Sequence, residues 1–328
     1  MEKLFESFKK LASYAAPSGH EAAFTAYLAN EAKKYCDSVR FDKRGNLICR
    51  KANEGAEKLI LAAHADEIGI LAMYAEDNGY YRFAVMGGAL KSGFLFRRVV
   101  FQNGVTGVIL QEEGEKPEAP DINKMYIDIG AASKKEAEKM LPPCTAGVFL
   151  TEPALQGARL VSRAIDDKIG CLILLELMKT AASRFDLYFC FTVEEELGLR
   201  GARTVGNAIL PDIAIAVDVS GASDVIPEKR KNIKLGGGAA LKIIDRGIVS
   251  DAELIKELSA IAKKNKIAAQ TDVAEYGRTD AAELQYVGEG VRAGVVSVPI
   301  RYCHTAVETA DMKDVEAVIA LLGRYIAK

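Results

Sequence analysis

"FTVEEELGLRGA", residues 191–202, sets three consecutive glutamates behind a run of strand-forming residues. Like charges repel, and acidic side chains are rarely buried unless paired. Either the strand reaches solvent at Glu194, or something positive sits at its end. The surrounding pattern favours the second reading. "KLILAAHAD" (58–66) is an apolar run that ends in His64 and Asp66, and "DIAIAVDVS" (212–220) carries Asp218 near its end. "GVVSVPIRYCH" (294–304) ends in His304. Asp166 and Asp167 stand at the start of the helical pattern "DKIGCLILLELMKTAA" (167–182). Buried strands that alternate with helices predict an α/β layer architecture, in which sites lie outside the carboxyl ends of the strands.

Working outward, residues 1–16 and 20–36 carry helical periodicity. Between them "PSGHE" reads as a turn and helix start, with Ser18 or Gly19 as cap and Glu21 three residues past Ser18. "KLILAAHADEIGI" (58–70) reads as one buried strand. From 71 to 160 the texture changes to short alternating stretches broken by Gly, Asn and the charged loop "EEGEKPEAPD", with one short helix, "SKKEAEKML". This segment reads as an inserted β-rich domain, residues 71–160, within a discontinuous α/β domain formed by 1–70 and 161–328. "DAELIKELSAIAKKNK" and "DMKDVEAVIALLGRYIAK" read as further helices.

Composition limits the function. The chain has 328 residues, 27% of them charged, with a net charge of −2. That balance gives no electrostatic case for nucleic acid or an anionic membrane. No apolar stretch has the length of a membrane span, and the N-terminus reads as an amphipathic helix instead of a signal peptide. The six cysteines show no CxxC spacing, which predicts buried thiols in a reducing cytoplasm.

The strand-end residues form a candidate cluster: His64, Asp66, Asp166, Glu195, Glu196, Asp218 and His304, with Asp167 beside Asp166. So many acids cannot share a cleft as free anions. Two divalent cations remove the conflict, and imidazole with carboxylate oxygen suits zinc, cobalt or manganese.

The ordered set "AHADEIGI", "SRAIDDKIG", "TVEEELGLRGA", "AVDVS" and "RYCHT" resembles the M42 family of metallo-aminopeptidases, within the wider clan of co-catalytic zinc exopeptidases. The likeness runs from "APSGHE" and "DKRGNL" to "RYCHTAVET". It implies a zinc-exopeptidase-like α/β/α sandwich and two divalent metal ions per subunit. His64, Asp166, Glu196, Asp218 and His304 would be the metal ligands. Asp166 would bridge the two ions through a cis Asp166–Asp167 peptide. Asp66 would orient the centre and Glu195 would be the general base, releasing N-terminal residues from short peptides. Glu194 stands where the family commonly has Gln, and is expected on the other side of the strand, solvated or paired. Two departures flank the pocket: Ala239 in "LGGGAALKI", and Arg278 in the usually Gly-rich "EYGRTDAA". Arg278 and Lys242 are candidate cations for an acidic substrate side chain. The resemblance also implies a homo-oligomer, from dimer to dodecamer, built through the inserted segment. Phe94, Phe96, Val99, Val100 and Phe101 are the apolar residues expected to need covering. Three alternatives stay open: another metal-dependent amidohydrolase or deacylase, a dinucleotide oxidoreductase suggested by "LGGGAALKI", and a non-catalytic assembly protein on the same scaffold.

Overall fold

The computed structural model describes residues 1–179, 183–226 and 232–327. The end of the helical pattern at Thr180–Ala182 and the terminal Lys328 lie outside the described residues. Two hydrogen-bonded β systems organise the rest: an 11-stranded mixed sheet and a closed barrel.

At the centre of the sheet, Lys58–His64, Asp186–Thr192 and Ile213–Gly221 run parallel, and Arg292–Arg301 runs parallel to the last. Side chains alternate along each strand. Leu59, Leu61 and Ala63 therefore join one apolar cluster, and Ile60 and Ala62 another. The first cluster is completed by helices Glu2–Ala12, Ala22–Ala32, Ile165–Leu177, Ala252–Asn265 and Met312–Ala327, through residues such as Phe8, Leu28, Leu172, Leu258 and Leu322. The second is covered by Arg200–Ile209 and Ala281–Leu284 through Val205 and Leu284. Helices on both faces make an α/β/α sandwich, and they explain why the central strands read as unbroken apolar runs. Helix Glu2–Ala12 shows the local logic: it buries Phe8, Leu11 and Ala12 on one stripe and leaves its charges outside.

The run 58–70 is not one strand. It breaks after His64, and a second strand, Gly69–Ala75, starts the barrel. The break has a polar cause. Glu67 is buried, and its Oε1 accepts from Lys168 Nζ at 2.6 Å and Ala16 N at 3.1 Å. Arg163 pairs with its other oxygen and donates to the Ala12 carbonyl at 2.7 Å. Lys168 also donates to the Tyr14 carbonyl, at 2.5 Å. A ladder position could not supply two cations, so the chain leaves the sheet here. The knot ties the N-terminal segment, the strand break and the start of helix Ile165–Leu177 together.

The barrel closes in the order Gly69–Ala75, Tyr81–Met86, Met125–Asp128, Thr106–Gln111, Arg98–Phe101, Ala146–Phe149. It begins at Gly69 instead of 71. Strands Ala154–Gln156 and Arg159–Ser162, inside the stretch given to the insertion by sequence, join the large sheet, the latter pairing with Glu308–Asp311. Short strands name no partner in their own sequence, so the boundary was not readable there. Phe94, Val99 and Phe101 were expected on the outside; they are buried in the barrel core with Tyr81, Phe83 and Phe149. Phe96 alone of that group is well exposed, at 68%, and Val100 is half-buried. Closure also pairs the strand edges that an open sheet would leave exposed. The short helix Lys134–Met140 is capped by Ser133, whose side chain accepts from Glu136 N.

Removing the carboxylate from the buried knot should cost stability. Glu67→Gln leaves Arg163 and Lys168 facing each other without an anion, a loss of ~3–5 kcal/mol by analogy with broken buried ion pairs. Denaturant unfolding followed by circular dichroism measures it; a change within 0.5 kcal/mol or so would contradict the role given to the knot.

Candidate active site

Parallel register brings the strand ends to one edge. Thr192 pairs with His64, and Asp218 lies two residues beyond Ala216, the partner of Ala62. The glutamate triple then leaves the strand. Glu194 adopts a left-handed backbone, φ 54°, which turns the chain back over the sheet edge. Its side chain pairs with Arg44 at 2.8 Å and Arg200 at 2.9 Å. Pairing was expected; the turn, not strand alternation, produces it. Glu195 N and Glu196 N donate to the two oxygens of Asp66, at 2.9 and 3.2 Å. Ser18 Oγ donates to the same carboxylate at 2.6 Å. Ser18 is thus a ligand of Asp66, not a helix cap, and Glu21 accepts from Gly19 N and Glu194 N at 2.7 and 3.1 Å. Asp166 sits at the start of helix Ile165–Leu177, joined to Asp167 by a cis peptide. His304 lies in the turn after Arg292–Arg301, also left-handed at φ 59°.

These side chains converge. His64 Nε2 is 2.9 Å from Asp166 Oδ1, and His304 Nε2 is 3.2 Å from Asp166 Oδ2. Glu196 Oε1 is 3.1 Å from His304 Nε2, yet that buried oxygen has no hydrogen-bond partner among the described residues. Both imidazoles are oriented from behind. His64 Nδ1 is 3.0 Å from the Asp66 carbonyl, and His304 Nδ1 contacts the Gly88 carbonyl. Each ring therefore offers Nε2 to the cluster, the arrangement that a cation ligand needs. Glu308 holds the two halves together, accepting from Asp166 N at 3.1 Å and His304 N at 2.8 Å. Asp218 groups with His64 and Asp167 within ligand-sharing distance, as do His64, Asp166 and Glu196. A cavity of about 200 Å³ opens onto His64, Asp166, Glu195, Asp218 and His304.

The electrostatics show how crowded the acids are. Burial, reinforced by Asp218, pushes Asp167 well above the usual carboxylate range. Burial, with Asp218 and Asp280 adding to it, does the same to Glu195, and burial also raises Glu196. Burial and Asp166 raise Asp218 to about 7. Asp166 goes the other way: burial opposes its charge, but His304 and His64 outweigh it and hold it below the usual range. Burial likewise opposes charge on His64, and the carboxylates of Asp166 and Asp66 overcome it, raising the imidazole well above its usual value. Without added positive charge, these shifts favour proton uptake by the crowded acids, and the neighbouring carboxylates favour it on both imidazoles. Divalent cations among carboxylates, imidazole nitrogens and the orphaned Glu196 Oε1 reverse that, so the donor set fits them.

Not every predicted residue faces the cavity. Asp66 is fully buried behind it, bracing Glu195 and Glu196 through their amides. Asp167 accepts from His64 N at 3.2 Å and Gly170 N at 3.0 Å. Glu21, Glu67 and Glu308 were missed as supports, because isolated acids in mixed segments carry no pattern. Gly88 was also missed: the segment after Tyr81–Met86 reaches the site from the barrel. Lys242 and Arg278 both line the cavity. Lys242 is buried against Asp272 at 3.3 Å and Ser220 Oγ at 3.1 Å, while Arg278 shares Glu283 with Arg203. The glycine loop does not cradle a phosphate: Gly236 N and Gly238 N each donate to Asp314 at 2.7 Å. That removes the feature behind the dinucleotide alternative.

Comparison with known proteins places the whole chain. The family described as M42 glutamyl aminopeptidase matches residues 45–321. A putative aminopeptidase of Acetivibrio thermocellus is 38% identical over 327 residues, 99% of each chain. An aminopeptidase structure from Desulfurococcus kamchatkensis superposes with a TM-score of 0.96 at 36% identity, covering 100% of this chain and 95% of that one. The Pyrococcus horikoshii TET1 peptidase, which can assemble into a tetrahedron or a large octahedral shell, has a TM-score of 0.90 at 31% identity over 99% of each chain. A five-motif order, a shared fold along the whole length and a matching family all lead to one placement: this chain belongs to the M42 family of aminopeptidases, hydrolases of peptide bonds.

Proposed function

We propose that this protein is a two-cation aminopeptidase that removes N-terminal residues from short peptides. The observation that carries the reading is the pair of imidazoles meeting opposite oxygens of one carboxylate, His64 on Asp166 Oδ1 and His304 on Asp166 Oδ2. Asp166 would bridge. His64 and Asp218 would complete one site, and Glu196 and His304 the other. When bound, zinc, cobalt or manganese ions supply Lewis acidity toward water and the scissile carbonyl.

The chain's own groups do the rest. Glu195 lies on the cavity wall in a site that raises its affinity for a proton. It takes a proton from the attacking water and delivers it to the leaving amine. Asp66 holds the Glu195 and Glu196 amides, so the base and its neighbour keep their separation. The Gly88 and Asp66 carbonyls keep Nε2 of each imidazole forward. A groove of about 580 Å³ adjoins the cavity and shares Ser220, Gly221, Tyr276 and Gly277 with it. It gives a peptide room beside the reacting end. Assembly follows the same reading: the barrel exposes Leu90 at 63% and Phe96 at 68%, large apolar surfaces that a subunit contact would cover.

Three outcomes are expected. Chelation abolishes release of amino acids from unblocked peptides, and cobalt, zinc or manganese restores it; full turnover after exhaustive chelation, checked by elemental analysis, sinks the two-cation reading. Glu195→Gln loses at least ~100-fold in kcat while retaining its metal content. Glu194→Gln, whose partners are the surface arginines, keeps wild-type kcat; the reverse order in these two variants shifts the base by one residue. Light scattering at micromolar concentration gives at least a dimer, and Phe96→Glu lowers the mass; a fully active wild-type monomer removes the assembly role from the barrel.

A further inference from the structure

The geometry points to Cys303 as a sulfur ligand of the cation held by Asp166, Glu196 and His304, a donor that the carboxylate–imidazole set does not include. Cys303 Sγ lies 3.2 Å from Asp166 Oδ2, the same oxygen that His304 Nε2 approaches at 3.2 Å. The three donor atoms of Asp166, Cys303 and His304 all fall within 4.8 Å of one another. A second feature lies beside it: Glu196 Oε1, on a side chain 4% exposed and without a hydrogen-bond partner among the described residues, reaches 3.1 Å from His304 Nε2, and Glu196 groups with His64 and Asp166 around the same carboxylate.

The distances suit a shared ion. Donors about 2.0–2.3 Å from one tetrahedral centre stand roughly 3.3–3.5 Å from each other. The observed 3.1 and 3.2 Å separations need only a slight opening. Cys303 also sits between two left-handed residues, Tyr302 and His304, so the turn delivers its sulfur and the His304 ring to one side. On ligation the thiol proton passes to solvent and a sulfur–metal bond replaces the S–H bond. Oxygen and nitrogen donors alone accept manganese readily; a thiolate biases the site toward the softer zinc and cobalt ions. The two sites of the centre would then differ, with His64 and Asp218 forming the harder one.

This rests on the two-cation reading, and the test separates the two. The protein is freed of metal, loaded with cobalt, and compared with its Cys303→Ser variant by absorption spectroscopy. Expected is a near-ultraviolet sulfur-to-cobalt charge-transfer band in the wild type, lost in Cys303→Ser and kept in Cys144→Ser, which alters an exposed thiol. Cobalt that binds without the band overturns the assignment of Cys303 alone, the thiol then being only a hydrogen-bond donor to Asp166. Failure of cobalt to bind at all overturns both. Should Cys303→Ser not fold, X-ray absorption on the zinc-loaded wild type decides: a sulfur shell near about 2.3 Å is expected, and shells of nitrogen and oxygen only refute the ligand.

Discussion

Mutual repulsion among buried carboxylates is the constraint around which this protein is arranged. Asp66, Asp166, Asp167 and Asp218 are buried at one edge of the sheet, with Glu195 and Glu196 beside them. Three of the aspartates are steadied by different devices. Asp66 gathers two backbone amides and the Ser18 hydroxyl. Asp167 binds amides of His64 and Gly170. Asp166 lies between two imidazoles. Asp167, Glu195, Glu196 and Asp218 are nonetheless raised in pKa, and that unbalanced acidity is what a cation would neutralise. A low local dielectric makes each of these interactions count for more than it would in water, in both directions.

The supports explain why the site draws on distant segments. Ser18 and Glu21 come from the N-terminal turn, Glu308 from the final sheet strand, and the Gly88 carbonyl from the barrel. The barrel is therefore part of the site's construction as well as a separate β system. Gly87 shows how closely it approaches: at φ +88°, a Cβ there would stand 2.8 Å from Ile68 and 3.2 Å from Glu196. Glu67 anchors the passage from sheet to barrel with two cations, so the strand carrying His64 and the segment carrying Gly88 are held in one frame.

Much of this was legible along the chain. Apolar runs ending in His64, Glu195 and Asp218 identified buried strands of an α/β sheet, since two covered faces leave an unbroken hydrophobic signal. The helical stripes of residues 2–12 and 312–327 were equally plain. The reading went astray where polarity was used internally. Residues 58–70 looked like one strand because Asp66 and Glu67 gave no hint of their partners 48 and 101 positions away. The barrel phenylalanines looked exposed because short strands do not announce whether they curl into a closed cylinder.

Local order therefore carried the element types, the buried central strands and the candidate site residues, because hydrophobic period and residue type are properties of neighbouring positions. Only the folded chain decided which oxygen of Asp166 meets which imidazole, which nitrogen each ring presents, and that Cys303, Glu308 and Gly88 stand at the same place. Those facts arise from contacts across 142 positions between Asp166 and Glu308, and 216 between Gly88 and His304. No spacing rule reaches that far; the close packing of sheet, helix and barrel against one another sets them.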